Sequence, residues 1–279
     1  MQGIASKFVT VEGMRTHYLE GGKGFPVVLL HSGEFGGCAE LSWEFNLPAL
    51  AAHFHVIAPD WLGFGESAKL FSFDDMRGLR VHHIALVLKA LGIGQAHFIG
   101  NSMGGGMLAA VAAQPKPAWN IAKMILVGAG GFAPVNEARK ILNSYDGTRE
   151  HMKRVLETVL TYTPLRYDDA YLEKRHRLSL IPGSWECTAA ARFRRPGAPP
   201  GERETTNYAA IARAAQTAGE NDLKIVDLTV SVVTDAAQKL HDEQVKISDV
   251  SEKLRSAKEV LDRTVVRAPV AGQVVNLKL

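Results

Sequence analysis

The chain has 279 residues, 46% of them hydrophobic and 22% charged, a composition able to bury one large core or two modest ones. The net charge is +3, and the only basic runs, Lys174-Arg175-His176-Arg177 and Arg192-Phe193-Arg194-Arg195, are too short for a nucleic-acid surface and read as solvated helix faces. No stretch reaches the roughly 18 apolar residues of a membrane span, and Met1–Lys7 lacks the apolar run of a secretory signal, so a cytoplasmic location is expected.

In chain order, residues 7–20 alternate around Gly13 and predict a hairpin. Pro26–His31 is a continuous apolar run, the pattern of a strand buried on both faces, followed by a glycine-rich loop from Ser32 to Gly37. An amphipathic helix is expected near Leu41–Ala52, a strand at His55–Ala58, and a turn at Pro59-Asp60-Trp61-Leu62-Gly63-Phe64-Gly65-Glu66-Ser67. Helical periodicity covers Met76–Leu91, and Ala122–Val127 reads as another buried strand. This alternation of strand and helix predicts a mostly parallel sheet covered on both faces.

Between the last two of these lies Ala96-His97-Phe98-Ile99-Gly100-Asn101-Ser102-Met103-Gly104-Gly105: a buried strand, a G-x-S-x-G turn and an alanine-rich helix. That is the layout of a nucleophile elbow, in which glycines leave room for a serine on a strained turn. An ordinary strand-to-helix turn would carry the same five residues, so the flanking elements must decide. Two cysteines, Cys38 and Cys187, stand far apart without C-x-x-C spacing, so neither a disulfide framework nor a zinc site is indicated, and no metal or cofactor is expected.

After residue 133 the pattern turns helical and irregular, which sets out a core over 1–133 and a helical cap over 134–195. A Pro/Gly-rich junction over 196–220 follows. Beyond it Val226, Val233, Leu240, Ile247, Leu254 and Leu261 recur every seventh residue. The seam between them is apolar at Leu223, Val230 and Ala237 and polar at Gln244, Ser251 and Lys258. This predicts one coiled-coil-like helix over 221–263, about 40 residues and about 60 Å long. A short β hairpin is expected over 264–279, around Pro269 and Gly272.

The strand ending in His31 with its loop, the Asp60-x-x-Gly63-x-Gly65-x-Ser67 turn and the Ser102 elbow resemble, in order and spacing, the α/β-hydrolase superfamily. More narrowly, His31-Ser32-Gly33-Glu34-Phe35-Gly36-Gly37, Gly100-Asn101-Ser102-Met103-Gly104-Gly105 and Glu173-Lys174-Arg175-His176 resemble the meta-cleavage-product hydrolases, which cleave C–C bonds in dienoates formed during aromatic degradation. The resemblance implies a small-molecule substrate, Ser102 as nucleophile, and the N–H groups of Gly33 and Met103 as oxyanion hole. It also implies that Asn101 orients the polar end of a dienoate and that Arg175 meets its carboxylate or enolate, although a solvated cap arginine suits the same position. His31 and Trp61 read as structural.

The last third departs from that family, with no recognisable counterpart of the two further strands, the carboxylate and the histidine that should follow the cap. Residues 221–279, especially Val260–Gly272, resemble HlyD-type membrane fusion proteins instead, so the fold expected is an incomplete α/β-hydrolase sheet with a cap, joined to a long helix and a hairpin. Asp227 and His241 follow Ser102 in an acceptable chain order, while His31, His82, His83 and His176 are alternatives that only geometry can test. Two functions are therefore in play: a serine hydrolase acting weakly on an ester or a dienoate, and an inactive fusion whose long helix self-associates. A homo-oligomer is expected, and the truncated sheet would leave the Met124–Val127 strand with an open apolar edge that the C-terminal segment or a second copy would cover.

Overall fold

The computed structural model describes residues 3–129, 136–160 and 167–190, and three short strands at 225–226, 266–267 and 273–275. Strands β1 (Ile4–Val11) and β2 (Met14–Gly21) form the predicted hairpin. Its two turn residues, Glu12 and Gly13, both have positive φ, 49° and 75°, the type I′ geometry that matches the twist of paired strands.

Strands β3 (Pro26–Leu30), β4 (His55–Pro59), β5 (Ala96–Asn101) and β6 (Ile121–Val127) complete a six-stranded sheet of order β1-β2-β4-β3-β5-β6. The β4-β3-β5-β6 part is parallel, and the first two strands are antiparallel to their neighbours. From β3 the chain passes to β4 on one side and then crosses to β5 on the other, which makes the carboxyl ends of β3 and β5 a topological switch point. Leu30 pairs with Gly100 there, so the residues after each strand emerge side by side.

The helix expected over Leu41–Ala52 is two short ones, α1 (Ala39–Trp43) and α2 (Leu47–Ala51). Pro48, in the first turn of α2, lacks an N–H and cannot continue a preceding helix, whereas it suits a new start. Helices α3 (Met76–Ala90) and α4 (Met103–Ala112) lie where the periodicity placed them. Val28, Leu30, Ile84, Phe98, Leu108 and Met124 form the main core, with Trp119 stacked on Phe98 at a centroid distance of 5.4 Å.

After β6 the described residues are helical: α5 (Glu137–Asn143), α6 (Arg149–Val155) running into a π turn at Leu156–Leu160, α7 (Asp169–Ser179) and α8 (Ser184–Ala190). A separate cluster of Phe35, Tyr145, Met152, Leu156, Leu172 and Ala189 holds these helices to the loop after β3. Gly36, at φ 67°, marks the closest approach, since a Cβ there would lie 2.1 Å from the carbonyl oxygen of Arg175 in α7.

The long heptad helix over 221–263, with Asp227 and His241, lies outside the described residues except at Ile225–Val226, which form a strand (β7) and not helix. With Val266–Arg267 (β8) and Gln273–Val275 (β9) it makes a small sheet in which β9 pairs parallel to β7 and antiparallel to β8. The non-local β9 strand supplies hydrogen bonds to β7 that a heptad pattern does not reveal. The 196–220 junction and the remainder of the HlyD-like segment also fall outside the described residues. Among the described residues no helix is long and apolar enough to cross a membrane.

Candidate active site

Ser102 links β5 directly to α4 with φ 50° and ψ −112°, and besides Glu12 it is the only described non-glycine residue with positive φ. A side chain in that region is strained, and strain of this kind is held by its surroundings. Here the surroundings are glycines without room for a Cβ. At Gly100 a Cβ would lie 2.7 Å from the Gly104 backbone, at Gly104 2.3 Å from the Leu30 carbonyl oxygen, and at Gly105 2.7 Å from Ala129. Hydrogen bonds fix the turn on both sides, from Ser102 N to Val127 O and from Gly106 N to Ser102 O, both 2.9 Å.

The Leu30–Gly100 pairing brings the loop after β3 alongside this turn. A Cβ at Gly33 would lie 2.7 Å from Met103 Sδ, so the two residues named for the oxyanion hole are packed against each other. Met103 is the first residue of α4, where a backbone N–H has no acceptor within the helix. Asn101 ends β5, pairs with Val127 on β6 and is half-buried.

The fully buried His31 donates from Nδ1 to Ser32 O at 2.6 Å and accepts at Nε2 from Trp61 N at 3.1 Å. Trp61 Nε1 donates in turn to His31 O at 2.9 Å. Burial pushes the His31 pKa down, so it is a neutral imidazole with both nitrogens committed and no lone pair for Ser102. The other candidates point elsewhere. His82 is exposed beside Glu12 at 3.6 Å, His83 Nε2 is 2.6 Å from Thr16 Oγ1, and His176 Nε2 donates to Gly147 O at 2.9 Å. No hydrogen bond to Ser102 Oγ comes from any of these residues.

Asp60 is a buried carboxylate with a different task. It accepts from His17 Nδ1 at 2.8 Å, Ala39 N at 2.7 Å and Glu66 N at 2.9 Å. Burial opposes its ionisation, but these donors outweigh burial and hold its pKa below the usual value. Gly65 fits only because it lacks a side chain, since a Cβ would lie 1.9 Å from Asp60 Oδ2. The Asp-x-x-Gly-x-Gly turn is thus a carboxylate-centred knot that secures the loop after β4.

Arg175 is 4% exposed and lies against the loop after β3. Its Nε donates to Phe35 O at 3.1 Å, Nη1 to Tyr171 Oη at 3.4 Å, and Nη2 is 3.5 Å from Glu34 Oε2. A solvated arginine it is not. Arg80 was missed by the motif reading: Nε and Nη2 donate to Leu62 O at 3.2 and 3.1 Å, and Nη1 reaches Met103 Sδ at 3.5 Å. Burial lowers its pKa to about 10. The signal was present, because Arg80, His83, Ile84 and Val87 share one buried face of α3 at helical spacing, where a cation is out of place.

A family model described as the alpha/beta hydrolase fold matches residues 26–216, well over half of the chain. The chain is an α/β hydrolase. The match runs past Arg195 and through most of the 196–220 segment, further than the sequence resemblance placed the family.

This α/β hydrolase is 36% identical over 172 residues to 2-hydroxy-6-oxo-6-(2'-aminophenyl)hexa-2,4-dienoic acid hydrolase of Metapseudomonas resinovorans, an alignment covering 61% of the chain and 58% of the relative. It is 33% identical over 183 residues to 2-hydroxymuconate semialdehyde hydrolase of Pseudomonas sp. strain CF600, covering 65% and 64%. The chain therefore spans about three fifths of the length of these curated relatives. Among solved structures it is similar to the meta-cleavage product hydrolase of Pseudomonas fluorescens IP01, with a TM-score of 0.64 and 28% identity over 79% of this chain and 78% of that one.

Proposed function

We propose that this α/β hydrolase is a serine hydrolase acting on a carbonyl carbon, either of a carboxylic ester or next to the scissile C–C bond of a dienoate. The observation that carries this reading is the Ser102 turn, held at φ 50° beside Gly33 and Met103. Ser102 Oγ adds to the carbonyl, and the negative charge on its oxygen meets the N–H groups of Gly33 and Met103, an interaction strongest in the transition state. As the adduct collapses the bond breaks and the leaving oxygen or carbon takes up the proton that Ser102 gave up on attack, and water then frees the acyl group from Ser102, restoring the hydroxyl. Asn101 and Arg175 orient the substrate. The names of the relatives, which are dienoate and semialdehyde hydrolases, favour the C–C substrate. The serine chemistry calls for no cofactor, and the protein is read as cytoplasmic.

The proton of Ser102 needs an acceptor, and Asp227 with His241 is the pair that chain order allows. Without a working base, an oxyanion hole and a binding site still leave residual catalysis of about 10³ to 10⁴ over water, so slow turnover is expected. A fluorophosphonate probe should label the protein and not Ser102→Ala, and p-nitrophenyl esters should be hydrolysed slowly. Folded protein that neither labels nor turns over would overturn the reading. That outcome would favour the second one, an inactive fusion whose HlyD-like C-terminal segment mediates self-association. Its supporting observation is that none of the candidate histidines within the described residues engages Ser102.

A further inference from the structure

We propose that the cleft between the turn after β4 and the end of α7 is an anion site, separate from the Ser102 turn, that takes the phosphate group of a small soluble molecule. The cleft measures about 500 Å³, a size usual for small-molecule sites, and Arg15, Glu66, Lys69, Arg177 and Ile181 line it. None of Gly33, Asn101, Ser102, Met103 or Arg175 does. The proposal therefore needs no catalysis at Ser102.

Three parts of the chain meet at this cleft. Ala68 N donates to Arg15 O at 2.8 Å, which sets the turn after β4 against the start of β2. A Cβ at Gly183, just past α7, would lie 2.8 Å from the Cβ of Lys69, so the same turn also packs against the connection from α7 to α8. Arg15 from β2 and Arg177 from α7 thus reach one cleft, with Lys69 on the turn that both elements touch. A ligand held by both arginines would tie the cap helix to the sheet.

The cations are in excess and unpaired. Glu66 is the one carboxylate among the lining residues, and among the described residues no carboxylate forms an ion pair with Arg15, Lys69 or Arg177. Lys69 Nζ donates to Phe64 O, Gly65 O and Ser67 O at 3.3, 2.7 and 2.6 Å, which uses its three protons and leaves its charge unanswered. Burial pushes its pKa down, a cost that a neighbouring anion would offset. The guanidinium groups of Arg15 and Arg177 hydrogen-bond to no described residue, so their donors are free for a ligand. Arg15 is also held in place, because its Cζ stands 3.4 Å from the centroid of the Phe8 ring. Stacking fixes the plane of the fork, leaves its N–H edge open to paired bonds with phosphate oxygens, and reduces the freedom lost on binding. Three cations against one carboxylate leave a surplus of two positive charges, which a phosphate monoester dianion matches and a monoanion does not.

The test is isothermal titration calorimetry of the full-length protein in low-salt buffer, with phenyl phosphate and its monoanionic isostere phenyl sulfate. The parent should bind phenyl phosphate roughly tenfold more tightly than phenyl sulfate, and added salt should weaken it. Arg15→Gln and Arg177→Gln, both at exposed positions, should each weaken phenyl phosphate about fivefold or more, and Glu66→Gln should tighten it about threefold. Ser102→Ala should bind it as the parent does. No binding by the parent, or equal affinity for the two probes, overturns the proposal even where a variant fails to fold. So does unchanged affinity in folded Arg177→Gln, or loss of binding in folded Ser102→Ala, which would put the anion at the serine.

Discussion

His17 Nδ1 lies 2.8 Å from Asp60 Oδ2, in an ion pair that ties strand β2 to the turn after β4. Burial disfavours charge on His17, yet the hydrogen bond and charge of Asp60 outweigh it and raise the imidazole pKa. A raised folded-state pKa contributes stability that is fully present below the unfolded value of about 6.5 and is lost as pH rises through the folded value. His17→Gln should therefore destabilise the protein more at pH 5.5 than at pH 9, as read from urea midpoints. An equal loss at both values would contradict the pairing.

His83 titrates in the opposite sense. Burial lowers its pKa to about 4, so its neutral form contributes stability above the unfolded value, and this is lost as pH falls from about 6.5 toward 4. Replacing His83 with Gln should flatten the acid side of the stability profile, which thermal unfolding between pH 4 and pH 7 would show.

Gly104→Ala would place a Cβ 2.3 Å from the Leu30 carbonyl oxygen, between two backbones with no flexible side chain to yield. A cost on the order of 3 kcal/mol is expected from overpacking, together with loss of Ser102 labelling. Gly106→Ala is the control, because a Cβ at Gly106 meets nothing within 4 Å, and its stability should stay near the parent's.

Arg80→Met removes the contact between Nη1 and Met103 Sδ, and leaves Leu62 O without its two donors. An unsatisfied carbonyl costs about 1–3 kcal/mol, partly offset because a buried cation no longer needs solvation. If Arg80 positions Met103, labelling of Ser102 should slow about tenfold, a loss larger than the stability change predicts. His241→Ala addresses the base directly: ester turnover should fall to the residual level if the chain-order pair is right, and remain unchanged if it is wrong.

The fold was legible where periodicity is local. The hairpin around Gly13, the buried run Pro26–Leu30 and the elbow at Gly100–Gly104 each carry their pattern within a dozen residues. The split of the predicted Leu41–Ala52 helix is legible in Pro48, which an amphipathic pattern alone does not weigh. Ile225–Val226 was not legible, because its partner β9 lies nearly fifty residues away and a heptad stripe says nothing about such pairing. Among the proposed site residues, Ser102, Gly33 and Met103 were named from motifs. Arg80 and the Glu34–Arg175 pair were not, since their meaning lies in which residues fold against them.

Among the described residues, the packing that holds Ser102 at φ 50° consists of glycines, strand carbonyls and a helix start, with no contribution from a base or an acid. On the serine-hydrolase proposal, aiming the hydroxyl and releasing the acyl group are therefore separable. Stripped of an effective base, such a serine would both accept and return an acyl group slowly, because each step must move a proton.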